Sequence, residues 1–177
     1  MNVDKGYLGD AEGCCRHIVD FAWAGVAGAC TCVSEPGETP KSQMSNASLV
    51  FRGTVRRIKT LPQHPEMKGR RRYAATFRID EYWKGAPGQI ATIYFLDAGC
   101  LAAGYETGKE YLVYGSLQEA KDYRADDIFL YGWTDVLPPG TPMLVPTACT
   151  PDGQTSSRLV RDTLRELGPG RLPLRTQ

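Results

Sequence analysis

The sequence predicts a mainly β domain: a five- to six-stranded Greek-key barrel of the OB type, with a C-terminal helix. Three observations predict it. Short runs of period-two hydrophobicity recur between Ser48 and Thr150. The 19 Gly and 12 Pro fall largely between these runs and supply frequent turns. One stretch of helical period, Ser156 to Leu167, follows the last run. Five or six short antiparallel strands plus a terminal helix suit a small barrel. A β-sandwich, the second choice, would show more strands at shorter spacing.

The elements follow in order. After Cys32, the turn-forming residues from Val33 to Pro40 predict an extended surface segment. Ser48 to Ile58 places Leu49, Phe51, Gly53 and Val55 on one face and Arg52, Thr54 and Arg56 on the other. That is a half-buried strand, with Gly53 at a bulge or bend. Tyr73 to Tyr82 is a second strand, with Tyr73, Ala75, Phe77 and Ile79 inward. The run Lys84-Gly85-Ala86-Pro87-Gly88 turns the chain into a third strand, Gln89 to Leu96. Glu110 to Gly115 is a fourth strand, Asp126 to Trp133 adds an irregular hairpin, and Met143 to Thr150 is the last strand. Pro146 places that strand at an edge or bulge. In the helix, Leu159, Val160, Thr163, Leu164 and Leu167 form the apolar stripe. Ser156 is the expected N-cap, Gly168 the C′ residue and Pro169 the stop. The expected organisation is an export signal or N-terminal extension at 1–29, one domain at 30–168 and a loose tail at 169–177.

Composition narrows the function. The chain has 177 residues, 42% hydrophobic and 23% charged, enough for one domain with a real core. A net charge of +1 sets up no bulk field toward nucleic acid or an anionic membrane. The two histidines, His17 and His64, leave little material for a His-based metal site or a catalytic triad. No nucleophile–base pair and no ligand cluster emerges, so an enzyme is not expected and no cofactor is implied.

Residues Ile18 to Ala29 form a short apolar run ending in Ala27-Gly28-Ala29 before Cys30, the shape of a secretory h-region and cleavage site. The run is too short to span a bilayer. Asp20 interrupts it, and Lys5 and Arg16 are outnumbered by Asp4, Asp10, Glu12 and Asp20. A start nearer Cys14 would leave Arg16 and His17 as a small n-region. Removing residues 1–29 raises the net charge from +1 to +3. A lipobox reading of Ala27 to Cys30 lacks the usual Leu three residues before the Cys.

Cys14 and Cys15 lie in the N-terminal stretch, whereas Cys30, Cys32, Cys100 and Cys149 lie in the body of the chain. Four separated cysteines in a β-rich chain predict two disulfides and an oxidising compartment. A Cys30–Cys32 ring would be strained. Both other pairings join the Cys30–Cys32 segment to distant loops, each stabilising by about 4–5 kcal/mol in the chain-entropy model. A four-cysteine zinc site usually shows C-x-x-C pairs, and none is present.

Cys30-Thr31-Cys32-Val33 at an expected processing site resembles the mature N-terminus of the tissue inhibitors of metalloproteinases. The resemblance continues in order through Ser48–Gly53, Thr76–Gly85, Gln89–Phe95 followed by Cys100, Lys109–Gly115 and Thr147–Thr150, covering roughly residues 30–150. It implies the netrin-like fold, an OB-type barrel, and the pairing Cys30–Cys100 and Cys32–Cys149. It implies a secreted, periplasmic or cell-envelope inhibitor of zinc metalloendopeptidases. By the same resemblance, the free amine and carbonyl of Cys30 would chelate the protease's zinc in trans. Thr31 would enter the specificity pocket, with Cys32, Val33, Ala98, Gly99 and Leu101 around it. The family's third disulfide in this domain and its Cys-rich C-terminal subdomain are missing, so the chain resembles a minimal, bacterial relative. The alternative is a non-inhibitory netrin-like module that binds an envelope or extracellular protein. Neither reading has nucleic acid as partner or a transmembrane segment.

Three further motifs have plain readings. Lys68-Gly69-Arg70-Arg71-Arg72 reads as a solvated basic loop. Asp80-Glu81 and Asp126-Asp127 carry no mark of an acid/base pair. Asn46-Ala47-Ser48 is a glycosylation sequon, meaningful only in a eukaryotic secretory pathway.

Overall fold

A computed structural model describes residues 37–67, 70–97, 104–122, 132–147, 150 and 153–174. Its core is a closed five-stranded barrel. The strands are β1 (Leu49–Leu61), β2 (Arg72–Lys84), β3 (Ile90–Leu96), β4 (Glu110–Glu119) and β5 (Pro142–Pro146), ordered β1-β2-β3-β5-β4 with β4 returning to β1. The two-residue strand β6 (Gly153–Gln154) adds to β4. A four-residue helix α1 (Pro40–Gln43) and a 3-10 turn (Met44–Asn46) lead into β1, and helix α2 (Arg158–Leu167) follows β6.

The sequence predicts antiparallel strands throughout, and one pair departs from this: β3 and β5 are parallel. The reason is parity. Five strands in a closed ring cannot alternate direction at every neighbour, so one parallel contact is forced. Closure also demands stagger. It comes from β1, whose register slips at Val50/Phe51, Arg52/Gly53 and Val55/Arg57. These bulges bend the strand so that it pairs with β2 along its length and with β4 from Leu49 to Thr54. Gly53 stands at one of them, as expected. A Cβ there would meet the Arg78 carbonyl oxygen at 2.6 Å.

The faces predicted on β1 and β2 line the barrel interior, joined by residues of β3 and β4. Phe51, Val55, Ala75, Phe77, Ile79, Ile93, Phe95, Tyr111 and Val113 pack as one cluster. Tyr105 sits edge-on to Phe77, Phe95 and Tyr111, with ring centroids 5.0–5.2 Å away. Such edge-to-face contacts add to the area term. Two further clusters cover the outside of the barrel. In one, α2 lays Val160 and Leu167 on Val50, Leu112 and Tyr114. In the other, Trp133 packs with Met67, Leu96, Met143 and Val145.

Four details correct the sequence reading. The N-cap of α2 is Ser157, whose hydroxyl accepts from the Val160 amide, and Leu159 of the expected stripe is 64% exposed. Strand β5 ends at Pro146, so Cys149 lies beyond it. The tail is not loose at its start: Tyr82 and Arg171 exchange backbone hydrogen bonds of 2.9 and 2.7 Å, and the Arg171 guanidinium lies over the Tyr82 ring. The basic loop is not wholly solvated either, because Arg72 is fully buried. Its guanidinium donates to both oxygens of Asp135 at 2.6 and 2.7 Å and to the carbonyls of Pro62 and Gly132, beside the Trp133 ring. The hydrogen bonds from Arg72 hold the Asp135 carboxyl below its ordinary value against the effect of burial.

Candidate functional site

The residues singled out for protease binding, Cys30, Thr31, Cys32, Val33, Ala98, Gly99 and Leu101, lie outside the described residues, as do Cys100 and Cys149. So do residues 1–29 and, of the hairpin expected at Asp126 to Trp133, all but Gly132 and Trp133, which are not in a strand. What is described is the end of the barrel from which the chain runs on toward Cys100 and Cys149.

Because β3 and β5 are neighbours and parallel, with Ile93 opposite Leu144, the chain leaves both strands at the same end of the barrel. Asp97 is the last described residue before the segment holding Cys100, and Thr147 the last before Cys149. Each exit is anchored by polar contacts. The Asp97 carboxylate accepts from the Arg71 amide at 2.7 Å and from Arg71 Nε at 2.8 Å, while the Asp97 amide donates back to the Arg71 carbonyl at 3.0 Å. Burial pushes the Asp97 carboxyl up, but these bonds and the Arg71 charge outweigh it and hold the group below its ordinary value. The same Asp97 hydrogen bond raises the Arg71 guanidinium. On the return side of this loop, Tyr111 Oη accepts from the Glu106 amide at 2.8 Å and donates to the Gly104 carbonyl at 3.2 Å.

The second exit is tied to the chain's entry. The Thr147 amide donates to the Tyr114 carbonyl at 2.8 Å, and its hydroxyl lies 2.8 Å from Ser116 Oγ. Ser116 Oγ in turn donates to the Asn46 carbonyl at 3.2 Å. The Ser48 amide donates to the Gly115 carbonyl at 2.8 Å, and Ser48 Oγ accepts from the Leu117 amide at 2.9 Å. Upstream, Tyr114 Oη donates to the Pro40 carbonyl, and Thr39 caps α1 in a reciprocal pair with Ser42. The polypeptide arriving from Cys30–Cys32 is therefore fastened beside β4, next to the exit that leads to Cys149.

Sequence reasoning missed Ser116, Thr147, Arg71 and the Tyr111 hydroxyl as anchors. Alternation puts Tyr111 inside the barrel, but nothing local signals where its hydroxyl is satisfied. The Thr39-Pro40 pair, a capping residue followed by Pro at N1, was the available signal for α1. Asp80 and Glu81 do have structural partners: Asp80 accepts from Thr54 and Arg78, and Glu81 from Arg52 and the Gly170 amide.

Among the described residues, no group of three or more His, Cys, Asp or Glu could hold a metal ion. No helix among them is long and apolar enough to cross a membrane. No protein-family model and no curated protein sequence matches the chain.

Proposed function

We propose that this chain is a netrin-like inhibitor of zinc metalloendopeptidases, acting outside the cytoplasm through a free N-terminal Cys30. One observation supports the reading. In the OB-type barrel, β3 and β5 end on the same side, at Leu96 and Pro146, and Asn46 and Ser48 are fastened to β4 beside Thr147. A C-x-C ridge joined to Cys100 and Cys149 would rest on anchored ground.

The chemistry follows from the ligand types. A catalytic zinc keeps an open coordination position. A neutral amine is a good ligand for it, and the adjacent carbonyl oxygen completes a small chelate ring. An α-amino group has a pKa of about 8, so shedding its proton near neutral pH costs little. Disulfides Cys30–Cys100 and Cys32–Cys149 would hold the ridge in its bound shape and reduce the ordering cost of association. Thr31 would then fill the pocket beside the zinc, flanked by Val33 and by the Ala98, Gly99 and Leu101 loop.

The test uses protein whose first residue is Cys30 and a second form with one added Ala, assayed against a panel of zinc endopeptidases. Peptide mapping without reduction is expected to link Cys30 to Cys100 and Cys32 to Cys149. The added Ala converts the chelating amine to an amide and should weaken inhibition by ~100-fold or more, the scale of losing a central hot-spot contact. Melting curves should coincide. Equal inhibition by both forms refutes the chelation mechanism. Absence of inhibition by either form replaces it with the non-inhibitory binding module.

A further inference from the structure

Five large apolar side chains are exposed among the described residues: Ile90, Leu117, Leu159, Leu172 and Leu174. Scattered singly, such residues are ordinary. Ile90, Leu172 and Leu174, however, stand at one end of the barrel, where β2 turns into β3. The tail is brought there by its backbone. Trp83 Nε1 donates to the Gly168 carbonyl at 2.8 Å, the Gly170 amide donates to Glu81, and Tyr82 pairs with Arg171. The Leu174 amide then reaches the carbonyl of Pro87, in the turn that leads to Ile90, at 3.4 Å. Leu172 and Leu174 are thus held in place by main-chain bonds, yet they stay 80% and 62% exposed, and Ile90 57%.

Charge at this end has one sign. Residues 82–92 and 167–174 contain no Asp or Glu, and their cations are Lys84 and Arg171. The Lys84 ammonium is held by the Met44 and Ser45 carbonyls, and the exposed Arg171 lies over the Tyr82 ring. Neither makes an ion pair among the described residues. The flanking acids are Glu81, taken by Arg52 and the Gly170 amide, and Glu166 on the last turn of α2.

We infer that this end of the barrel seats on an anionic lipid surface. Leu172, Leu174 and Ile90 enter the boundary of the acyl chains, and Lys84 and Arg171 stand at the level of the phosphates. The charge complementarity is local and does not need a large net charge. A second copy fits less well, because three side chains fall short of the ~800 Å² that each partner of a stable dimer buries. Strand β3 runs ~20 Å from this end to Leu96. A barrel seated in this way holds the exit toward Cys100 away from the lipid. The inference does not rest on the protease reading.

The experiment measures flotation of the full chain with vesicles of phosphatidylcholine alone and with added phosphatidylglycerol. Wild type is expected to bind the anionic vesicles more tightly, with affinity falling as salt rises. Leu172→Ser with Leu174→Ser should weaken that binding by ~100-fold, about tenfold per leucine. Arg171→Gln should weaken it by about fivefold and leave binding to phosphatidylcholine alone unchanged. Leu117→Ser with Leu159→Ser removes two exposed leucines elsewhere and should leave binding within about twofold. All four leucines are exposed, so melting curves should coincide with wild type. Equal losses in the two double variants, or no binding to anionic vesicles, would overturn the assignment. Self-association of wild type that Leu172→Ser with Leu174→Ser abolishes, without vesicle binding, replaces the lipid with a second copy.

Discussion

Replacing Asp135 with Ala isolates the Arg72 clamp, the most heavily connected buried charge in the described structure. Arg72 is fully buried, and Asp135 meets it through two parallel hydrogen bonds at 2.6 and 2.7 Å. Removing one partner of a fully buried pair costs about 3–5 kcal/mol, because the remaining charge is left uncompensated. Two features reduce that here. The Asp135 side chain is 36% exposed, so water can enter the space it leaves. The carbonyls of Pro62 and Gly132 still accept from the guanidinium. The expected loss is about 2 kcal/mol, a fall in Tm of ~4–8 °C for a chain of this size. Arg72→Met should cost a similar amount, since it strips the same two carbonyls of their donor. The double variant should cost less than the sum by ~1–2 kcal/mol, as expected for groups in direct contact. Urea and thermal melts of the four proteins give the cycle. Acid adds a second readout. Arg72 holds the folded Asp135 carboxyl below its unfolded value, so its contribution is complete above an ordinary carboxylate pKa of about 4 and is lost as pH falls through the folded value. Asp135→Ala should therefore flatten the acid limb of the stability curve. A loss under ~0.5 kcal/mol, or strict additivity in the cycle, would refute the clamp.

Two further substitutions test how local geometry builds the barrel. Gly53→Ala drives a Cβ to within 2.6 Å of the Arg78 carbonyl, a backbone atom with little room to move; the expected cost is ~1–3 kcal/mol in a urea melt, and a neutral result would mean that the β1–β2 bulge relaxes freely. Ser157→Ala should lower stability by about 1 kcal/mol through loss of the Val160 cap, whereas Ser156→Ala should lie within ~0.5 kcal/mol of wild type; the reverse order in thermal melts would place the helix start one residue earlier.

What was legible follows from which forces are local. In β2, Ala75, Phe77 and Ile79 alternate with residues turned outward, so period two alone identified the buried face. Strand β1 runs on to Leu61, past the expected end at Ile58. Leu61 packs against the outer cluster around Trp133, which alternation toward the barrel interior does not report. Arg72 was misread for a related reason. Arginine in a basic run is ordinarily solvated, and the carboxylate that permits burial lies 63 residues away. Ser156 and Ser157 are equally good capping residues, so composition cannot choose between them, whereas the packing of Val160, Thr163 and Leu167 fixes the phase of α2. Strand β6 has two residues and no period to detect. At the candidate site, the cysteine spacing was readable. The anchors were not, because Arg71–Asp97 and Ser116–Thr147 join residues that only the barrel topology brings together.

The parity of the barrel bears directly on the proposed ridge. A closed ring of five strands must contain one parallel pair, and here that pair is β3–β5. Parallel neighbours discharge their C-terminal ends on one side, so the segments carrying Cys100 and Cys149 begin together before any sulfur is considered. The contacts that root them are the Arg71–Asp97 ion pair, the Tyr111 hydroxyl and the Ser116–Thr147 pair, none of which involves a cysteine. Disulfides to Cys30 and Cys32 would therefore order mainly the ridge, against a barrel end already held by its own hydrogen bonds. Their loss should free the ridge and leave the native barrel contacts in place, while the chain-entropy model assigns a cost of about 4–5 kcal/mol each to the longer loops opened in the unfolded chain. An inhibitor that presents a rigid N-terminal amine needs the ridge immobilised, and a barrel end held by its own hydrogen bonds would give those disulfides a fixed base.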